Sequence, residues 1–308
     1  MSERRSVCLA YNPGIPGTEE LVTQLAERLG LARDVRAGVG SPSKVGTVCT
    51  VQELERTGHE YPGVDLLITV GGDGTILRAA HVAAPHGIAI LGINMGRLGF
   101  MTELSAQDAL ERVEQYLDDD LWIEERAMLQ VGLLRSGGGG GAAGVLAENA
   151  VLCHAVNEAV VGSSAVARMA TVKVTIDDYP FTAYRADSVI VATATGSTGY
   201  ALSAGGPILY PESHDILLKP VAAHLGLSSG LVLPPTSRIK LTLLSGGPAT
   251  LSVDGFLDYE PAEGDEVVIE ASSYRTRFLR MHPPASYYTT LMRRLVPENG
   301  GREPRALL

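Results

Sequence analysis

An aspartate among three glycines is the most unusual local feature of this sequence. The loop Gly71-Gly72-Asp73-Gly74 follows a short apolar run, Leu66–Val70, and precedes residues with helical periodicity. This order predicts a buried strand, a tight loop and a helix that opens at Thr75 or Ile76. Glycines let backbone N–H groups approach a phosphate closely, and the positive end of a helix adds to the attraction. The loop is therefore suited to binding an anion.

A carboxylate at Asp73 would repel a phosphate if the loop only bound it. Two kinds of chemistry explain its presence: a general base beside a transferring phosphoryl group, or a ligand for a Mg²⁺ ion that bridges phosphates. Gly-Asp-Gly is also a common turn, so a purely structural role is the alternative. The loop fits neither the Walker pattern Gly-x-x-x-x-Gly-Lys-Ser/Thr nor the Gly-x-Gly-x-x-Gly of dinucleotide folds.

The elements that position this loop follow from the hydrophobic pattern. A strand is predicted over Val7–Tyr11, a one-sided helix over residues 17–29 with Thr18 as N-cap, and a buried strand over Gly87–Ile93. That last strand also ends in glycines, within Asn94–Phe100, so two consecutive strands deliver glycine-bearing loops to one edge of a sheet. A further helix runs from its N-cap at Ser105 to about Leu117. Residues 1–122 are therefore predicted to form an α/β domain with a mostly parallel sheet.

Beyond Asp118-Asp119-Asp120, alternating apolar and polar residues replace the helical period. Strands are predicted over Glu125–Leu133, Val151–Val161, Ala170–Ile176, Phe181–Tyr184, Gly230–Leu233, Arg238–Leu244, Ala249–Val253 and Glu266–Ala271. Their density predicts a second domain, residues 123–280, that is mostly β and sandwich-like.

Three further segments complete the predicted organisation. The Gly137–Gly141 run has no flanking cation or helix start, so we interpret it as a flexible hairpin tip. Residues 281–296 have a helical pattern, and we expect this helix to pack back on the first domain. The 297–308 stretch has the composition of a disordered tail.

Composition narrows the class of protein. With 308 residues, 45% hydrophobic and 19% charged, the chain is expected to be a globular protein of two domains. Its longest mostly apolar window, Val221–Leu233, is too short to span a bilayer, and no signal-like segment begins the sequence, which favours the cytoplasm. Cys8, Cys49 and Cys153 are odd in number and far apart, as expected for reduced thiols.

The charge balance also bears on partners. A formal net charge of −10 argues against a nucleic-acid partner. An anionic substrate would then require locally gathered cations, and the arginines near the glycine-rich segments are Arg78, Arg97, Arg168 and Arg185. Taken alone, each of these arginines is most simply interpreted as a solvated surface charge.

A second constellation spans residues 185–207 and is dense in small hydroxyls and glycine. The stretch from Thr195 to Pro207 can present backbone amides and hydroxyls to a sugar or a planar base, and Tyr200 can stack or hydrogen-bond. Asp187 precedes the strand that leads into it. A plain Ser/Thr/Gly loop is the alternative, although it does not require that acid.

Taken together, these residues resemble the NAD kinase family. The matching pieces occur in the family's order: Gly71 to Thr75, Asn94 to Phe100, Asn157-Glu158, Arg168-Met169, Tyr184 to Asp187, and Thr195 to Pro207. The first motif alone is shared with diacylglycerol-type lipid kinases. The combination with Asn157-Glu158 and the Thr-Gly-Ser-Thr segment is specific.

The resemblance implies transfer of the terminal phosphoryl group of ATP, or of polyphosphate, to the 2′-hydroxyl of the adenosine ribose of NAD, which gives NADP. Asp73 would be the general base, and Gly72 and Gly74 would line its loop. Arg78 matches a basic position in relatives. Magnesium would be held mainly through the phosphates, without direct protein ligands. Relatives are commonly dimers or tetramers, so a homo-oligomer is expected.

The resemblance also implies the residues that bind NAD. Asn157 and Glu158 would hold the adenosine ribose or the diphosphate, Arg168 and Arg185 would lie near the bound nucleotides, and Asp187 would bind the nicotinamide end. The residues expected around the adenine-side ribose and base are Thr195, Thr198, Gly199, Tyr200, Ala201, Leu202 and Ser203. The chain departs from many relatives at Ser188, Gly199 and Phe256, and the corner that carries Phe256 is left out of the predicted site.

Two rival functions are weighed against this one. A lipid kinase would need an exposed apolar cleft, whereas the Asn157-Glu158 and Thr195–Tyr200 segments are polar. A catalytically silent NAD(P)-binding regulator would gain nothing from Asp73. The sequence leaves open ATP or polyphosphate as donor, NAD or NADH as acceptor, and feedback by NADPH.

Overall fold

The computed structural model describes residues 5–31, 47–57, 63–96, 99–117, 121–136, 151–165, 167–224, 227–245 and 247–295. Two compact units can be distinguished, the first formed by Met1–Glu124 with Arg277–Leu308 and the second by Glu125–Thr276. The first unit is therefore discontinuous in sequence. Arg97, the Gly137–Gly141 run and the 297–308 tail lie outside the described residues.

The first unit is built on a parallel sheet. Its strands are β1 (Val7–Tyr11), β2 (Thr47–Thr50), β3 (Leu66–Gly71), β4 (Ala89–Asn94) and β5 (Leu104–Ser105). They pair in the order β2-β1-β3-β4, with β5 beside the end of β4. The register places Tyr11, Val70 and Ile93 side by side, so the loops after β1, β3 and β4 leave from one edge. This arrangement confirms that the two glycine-bearing loops share a sheet edge.

The helices of this unit carry their apolar residues on one face. In the described residues, 3₁₀ turns lie at Ala84–His86 and Val113–Leu117, and at Gly196–Thr198 in the second unit. The described α-helices are α1 (Thr18–Leu29), α2 (Val51–Thr57), α3 (Asp73–Ala83), α4 (Ala106–Arg112), α5 (Tyr200–Ser203) and α6 (Ser286–Leu295). All but α5 belong to the first unit. The buried stripe of α1, which includes Val22 and Leu25, packs in one core with Leu9, Ile68 and Leu91 of the sheet.

Two helix starts differ from the prediction. Thr18 is the first residue of α1 and not its N-cap; Gly17 takes that position in a left-handed conformation, with φ of 82°. The Thr18 hydroxyl lies 2.9 Å from the carbonyl of Asn12 and 2.7 Å from that of Ile15, so it bonds back to the preceding turn. Helix α3 begins at Asp73, earlier than Thr75, which places the acid in the first helical turn.

The second unit contains two antiparallel sheets. Its strands are β6 (Trp122–Leu134), β7 (Val151–Ala155), β8 (Glu158–Ser163), β9 (Ala170–Ile176), β10 (Tyr179–Ala186), β11 (Ser188–Ala192), β12 (Ile216–Val221), β13 (Leu231–Leu233), β14 (Ile239–Ser245), β15 (Ala249–Val253), β16 (Leu257–Tyr259) and β17 (Glu266–Arg280), the first and last of which extend into the first unit. One sheet has the order β13-β12-β11-β8-β15-β16; in the other, β10-β9-β14-β17 pair in turn, β6 pairs with β17, and β7 pairs with β6.

A single hydrophobic core joins the two sheets of this unit. Val172 and Leu241 from one sheet and Val161, Val191 and Leu251 from the other belong to the same buried cluster. Inward-facing side chains from two sheets that share one core are typical of a β-sandwich. The predicted fold class, an α/β part followed by a mostly β part, is confirmed.

Several strands differ from their predicted bounds. The run predicted as one strand, Val151–Val161, is interrupted after Ala155 and resumes at Glu158. Strand β12 was not predicted, because Pro220 within it removes a backbone donor. Strand β17 extends from the predicted Ala271 to Arg280, through residues that are mostly polar and gave no apolar alternation.

Candidate active site

Asp73 is held by the backbone of the second glycine-bearing loop. Its Oδ2 accepts a hydrogen bond of 2.8 Å from the Phe100 N–H, and its Oδ1 accepts one of 3.2 Å from the Met101 N–H. A Cβ at Gly99 would collide with Asp73 Oδ1, so glycine is required there for the carboxylate to approach. Two sequence motifs that lie more than twenty residues apart are thus joined at the edge of the parallel sheet.

The glycines on either side of Asp73 leave open space. A Cβ added to Gly72 or to Gly74 would meet no atom of the described residues within 4 Å. The backbone of Gly72 is extended, with φ of −118°, so its conformation does not require glycine. The absence of a side chain therefore serves access to the start of α3, where the dipole of the helix favours a negative group.

Two buried polar atoms beside this loop have no hydrogen-bond partner within the described part of the chain. They are the Thr75 hydroxyl and the side-chain nitrogen Nδ2 of Asn94. Asn94 is adjacent to Gly71 in the sheet, and a Cβ at Gly71 would collide with Thr75 Oγ1. Leaving such groups unpaired costs about 1–3 kcal/mol each. Their chemistry, one hydroxyl and one amide, fits a phosphate-bearing substrate.

Arg78 has a protein partner in this structure. Its Nη1 lies 3.0 Å and 3.1 Å from the two carboxylate oxygens of Glu55, so the guanidinium links α3 to α2. Its predicted place as a basic nucleotide-binding residue stays a prediction.

Asn157 and Glu158 lie at the bend between β7 and β8, and Asp254 holds that bend. Asp254 Oδ1 accepts from the N–H of Asn157 at 2.8 Å and of Glu158 at 3.0 Å, and Oδ2 accepts from the N–H of Val156 at 2.8 Å. Asp254 stands at the β15–β16 turn with a positive φ of 52°, followed by Gly255 with φ of 73°. Sequence reasoning left this corner out of the site; its one signal was an Asp-Gly pair directly after a strand.

The Thr195–Gly199 loop lies against the same bend. The N–H of Thr193 donates to the Asn157 carbonyl at 2.8 Å, and its hydroxyl donates to the Val156 carbonyl at 2.6 Å. A Cβ at Gly196 would collide with the Asn157 carbonyl oxygen and come within 2.8 Å of Glu158 Oε2. The structure therefore brings Asn157 and Glu158 together with the Thr195 loop.

Asn157, Glu158 and Thr195 form what we call the Glu158 cluster. It contains three buried polar atoms that have no hydrogen-bond partner among the described residues. They are Asn157 Oδ1, Glu158 Oε2 and the Thr195 hydroxyl. An amide acceptor, a carboxyl oxygen and a hydroxyl are the groups that bind ribose hydroxyls and the N–H groups of a base. The residues present fit a nucleoside ligand.

The carboxyl group of Glu158 has an unusual proton affinity. Burial, and after it the negative charge of Asp254, raises the pKa of Glu158 to about 8. At neutral pH the group is therefore mostly a neutral acid, which can donate a hydrogen bond as well as accept one.

The remaining residues of the hydroxyl-rich segment divide into exposed and anchoring side chains. Thr198 donates its hydroxyl to the Thr195 carbonyl at 2.9 Å, and Tyr200 is 43% exposed at the start of α5. Ala201 is buried in a small core with Ile190 and Leu217. Ala201 thus fixes α5 to the sheet, while Leu202 is half-buried and Ser203 is exposed.

Three predicted residues are exposed, and the strand register places one of them, Asp187, apart from this cluster. Arg168, Arg185 and Asp187 are exposed, and Asp187 precedes β11 whereas the Thr195 loop follows it. In the register of β11 and β8, Ser188 pairs with Gly162 and Ala192 pairs with Glu158. At about 3.3 Å per residue, the five residues from Asp187 to Ala192 put Asp187 about 17 Å along the strand from the Glu158 end.

The described residues contain neither a metal cluster nor a membrane-spanning helix. Over the described residues, no group of three or more His, Cys, Asp or Glu side chains could hold a metal ion. No helix in that same part of the chain is long and apolar enough to cross a membrane.

The fold and these two clusters define a class of protein, a phosphotransferase with an acid in a glycine-lined loop and a polar cluster that fits a nucleoside. Its family is given by two family models: the ATP-NAD kinase N-terminal domain matches residues 18–121, and the ATP-NAD kinase C-terminal domain matches residues 156–281. The chain belongs to the NAD kinase family. It is an enzyme that phosphorylates NAD, and the lipid kinase alternative is not favoured.

Curated relatives extend over almost the whole chain. NAD kinases from two strains of Dehalococcoides mccartyi are 37% and 43% identical, each over 96% of this chain and 97% of the relative. The NAD kinase of Chloroflexus aurantiacus is 39% identical over 94% of this chain and 98% of its own length.

Solved structures share the fold. A yeast NADH kinase complexed with NADH has a TM-score of 0.79 at 21% identity and covers 99% of this chain and 91% of its own. An NAD kinase from Archaeoglobus fulgidus in complex with ATP has a TM-score of 0.67 at 24% identity, with 93% and 96% covered.

Proposed function

We propose that this enzyme transfers the terminal phosphoryl group of ATP to the 2′-hydroxyl of the adenosine ribose of NAD, giving NADP, with Asp73 as the general base. The observation that carries the proposal is the fixed carboxylate of Asp73, which accepts two backbone N–H bonds beside glycines that leave open space. A ribose hydroxyl is a poor nucleophile at neutral pH. A carboxylate that orients it and takes its proton contributes typically ~10²–10⁴ in rate.

The donor side of the reaction depends on positioning and charge. The amide of Asn94, the hydroxyl of Thr75 and the start of α3 would contact the donor phosphates, and Arg78 would add a positive charge near them. A Mg²⁺ ion held through those phosphates would supply charge neutralisation at the transferring group. The two matching family models describe ATP-NAD kinases, which supports ATP as the donor.

The acceptor side is assigned to the Glu158 cluster. Asn157, Glu158 and Thr195, with their buried unpaired atoms, would bind hydroxyls of the adenosine ribose. Thr198, Gly199, Tyr200 and the rest of α5 would border the base.

The exposed residues at the other end of β11 are assigned to the rest of the dinucleotide. Asp187 would contact the nicotinamide end, with Arg168 and Arg185 near the nucleotide phosphates. We also propose a homo-oligomer located in the cytoplasm, and light scattering of the purified chain tests the oligomer.

The proposed reaction is tested by assaying NADP formation with each pair of donor (ATP or polyphosphate) and acceptor (NAD or NADH), with Mg²⁺ or with EDTA. We expect NADP from ATP and NAD only when Mg²⁺ is present, and a ³¹P spectrum of the product that shows a 2′-phosphate. Phosphorylated diacylglycerol in a parallel incubation would support the lipid kinase. Tight NAD binding without ATP-dependent NADP would support a silent binder.

A further inference from the structure

Asp254 makes contacts that the reaction as proposed does not explain. Its side chain is 7% exposed and accepts hydrogen bonds from three consecutive backbone N–H groups, those of Val156, Asn157 and Glu158. Its own N–H donates to the Glu158 carbonyl at 3.0 Å. Hydrogen bonds to an ionised acceptor are roughly twice as strong as neutral ones. The bend between β7 and β8 therefore depends on a residue almost one hundred positions away.

The bend is fixed from its other side by Thr193. The hydroxyl and the N–H of Thr193 bond to the carbonyls of Val156 and Asn157. With the N–H groups bonded to Asp254 and two of the carbonyls to Thr193, the backbone has little freedom to rotate. This rigid bend keeps Asn157 Oδ1 and Glu158 Oε2 buried, with no hydrogen-bond partner among the described residues. Leaving them so costs free energy unless a ligand forms hydrogen bonds with them.

We infer that Asp254 is a positioning residue for NAD: its carboxylate holds the 156–158 bend in the conformation that presents Asn157 and Glu158 to the ribose. This inference rests on the proposed function, in which that pair binds NAD. Asp254 would act through its hydrogen bonds to the backbone N–H groups of the bend. Its effect should therefore fall on NAD binding, and only weakly on the rate of transfer once NAD is bound.

The charge of Asp254 adds an electrostatic signature. The pKa of Glu158 is raised to about 8 by two causes: burial is the larger, and the negative charge of Asp254 is the second. Cys153 also lies in the field of Asp254, and Tyr259 interacts with Cys153; the pKa of each is raised, first by burial, so both stay neutral where Glu158 titrates. We expect the neutral form of Glu158 to bind NAD. An ionised Glu158 would add a second negative charge beside that of Asp254, and the two would repel the diphosphate of NAD. NAD binding should then weaken as pH rises through about 8.

The test is Asp254→Asn in the full-length enzyme. Asparagine has nearly the same size and tolerates a positive φ, but it offers one acceptor oxygen and turns an NH₂ group toward an N–H. We expect the KM for NAD to rise at least about tenfold, since more than one charged hydrogen bond is lost. The kcat at saturating NAD and the KM for ATP should change little.

A pH profile separates this role from a loss of folded protein. Between about pH 6 and about pH 9, the alkaline decline in NAD affinity should move to lower pH in Asp254→Asn, because Glu158 loses the neighbouring charge that favours its neutral form. If Asp254→Asn does not fold, Glu158→Gln provides the test, since glutamine resembles the neutral acid. It should bind NAD at neutral pH and lack the alkaline decline.

Asp265→Asn is the matched control. Asp265 is also buried in the second unit and accepts from the N–H groups of Ser136 and Ala262 at 2.7 and 2.8 Å, and from Arg135 at 2.9 Å. Its replacement should lower the thermal midpoint without raising the KM for NAD. Equal KM changes in both variants would overturn the positioning role, because a general loss of stability would then explain them.

Asn157→Ala distinguishes the inference from the function on which it rests. If Asn157→Ala raises the KM for NAD and Asp254→Asn does not, the inference is overturned and the proposed NAD contact stands. If Asn157→Ala leaves the KM unchanged, the assignment of the pair to NAD is wrong, and the inference is overturned with it. An alkaline decline in wild type that persists in Glu158→Gln would also overturn the electrostatic part.

Discussion

Asp73 is the residue on which the proposed chemistry depends, and its surroundings favour a fixed orientation. The two N–H groups that it accepts from, those of Phe100 and Met101, come from consecutive residues and hold both oxygens. A base held in this way loses little entropy when a hydroxyl binds to it.

Replacing Asp73 by asparagine keeps the size of the side chain but removes the proton acceptor. We expect kcat to fall by roughly 10²–10⁴ while the affinity for NAD, measured by calorimetry, changes little. Asp108→Asn is the control, since Asp108 is an acid in the first turn of α4 whose carboxylate pairs with the Ser105 hydroxyl. An unchanged kcat in Asp73→Asn would remove the base assignment.

At the scale of single residues, sequence alone identified those whose type is unusual for their neighbourhood. Asp73 was found because an acid among glycines is unexpected, and Asn157 and Glu158 because they match a family motif. Asp254 was not identified from the sequence, because its importance depends on hydrogen bonds to residues 96 to 98 positions earlier. No local pattern encodes such a distance.

Among the elements, the loops depend on glycines that are needed for space more than for flexibility. Gly196 shows this most directly, because a Cβ there would collide with the Asn157 carbonyl oxygen. The contact is with backbone, which cannot rotate away as a side chain can. Glycine therefore permits the Thr195 loop to lie on the bend that carries Glu158.

Gly196→Ala should force the loop and the bend apart. We expect a loss of about 1–3 kcal/mol in the free energy of unfolding, as for other overpacked positions, together with a raised KM for NAD. Gly96→Ala is the stability control, because a Cβ at Gly96 would meet nothing within 4 Å among the described residues. Thermal melts of both variants and NAD titrations of Gly196→Ala supply the measurements. Equal melting temperatures for wild type and Gly196→Ala would show that the loop does not lie so close.

The hydrophobic pattern predicted the elements better than their ends. Strands β3 and β4 were found because both are buried throughout, and the start of α3 was placed late because Asp73 and Gly74 have no apolar periodicity. The break after Ala155 was missed because apolar, strand-forming residues stand on both sides of Asn157-Glu158 and no Gly or Pro marks the bend. The bend there is imposed by Asp254 and Thr193, which belong to other strands and loops.

On the scale of the whole molecule, the first unit is completed by a segment that returns from the far end of the sequence. Residues Arg277 and Phe278 of β17 pair with Ala89 and Ile90 of β4, in parallel. Sequence patterns do not reveal such a return, because β17 reads as a strand of the second domain. The domain limits at residues 122 and 280 stay a prediction.

Arg280 secures this returning segment through buried charges. Its Nε lies 2.5 Å from Glu124 Oε2, and its Nη1 lies 3.3 Å from Glu103 Oε2, with all three side chains less than a tenth exposed. Burial alone would raise the pKa of Glu103, but the charge of Arg280 and N–H bonds from Met281 and His282 outweigh it and hold that pKa below the ordinary 4.5. The ionised carboxylate therefore stabilises the folded unit above that pH, and this contribution is lost as pH falls.

Arg280→Met should remove the buried cation that pairs with Glu103 and Glu124. We expect a loss of about 3–5 kcal/mol in the free energy of unfolding at neutral pH. Without Arg280, burial is less opposed and the pKa of Glu103 rises, so the loss should shrink at lower pH as that carboxylate takes up a proton. Urea unfolding near pH ~5 and pH ~7 measures both effects.

Arg28→Met is the control, since the Arg28–Glu114 pair is exposed on both sides and should contribute less than about 1 kcal/mol. If the two variants lose equal stability, or if the loss in Arg280→Met is the same at both pH values, the returning segment is not held by its buried charges.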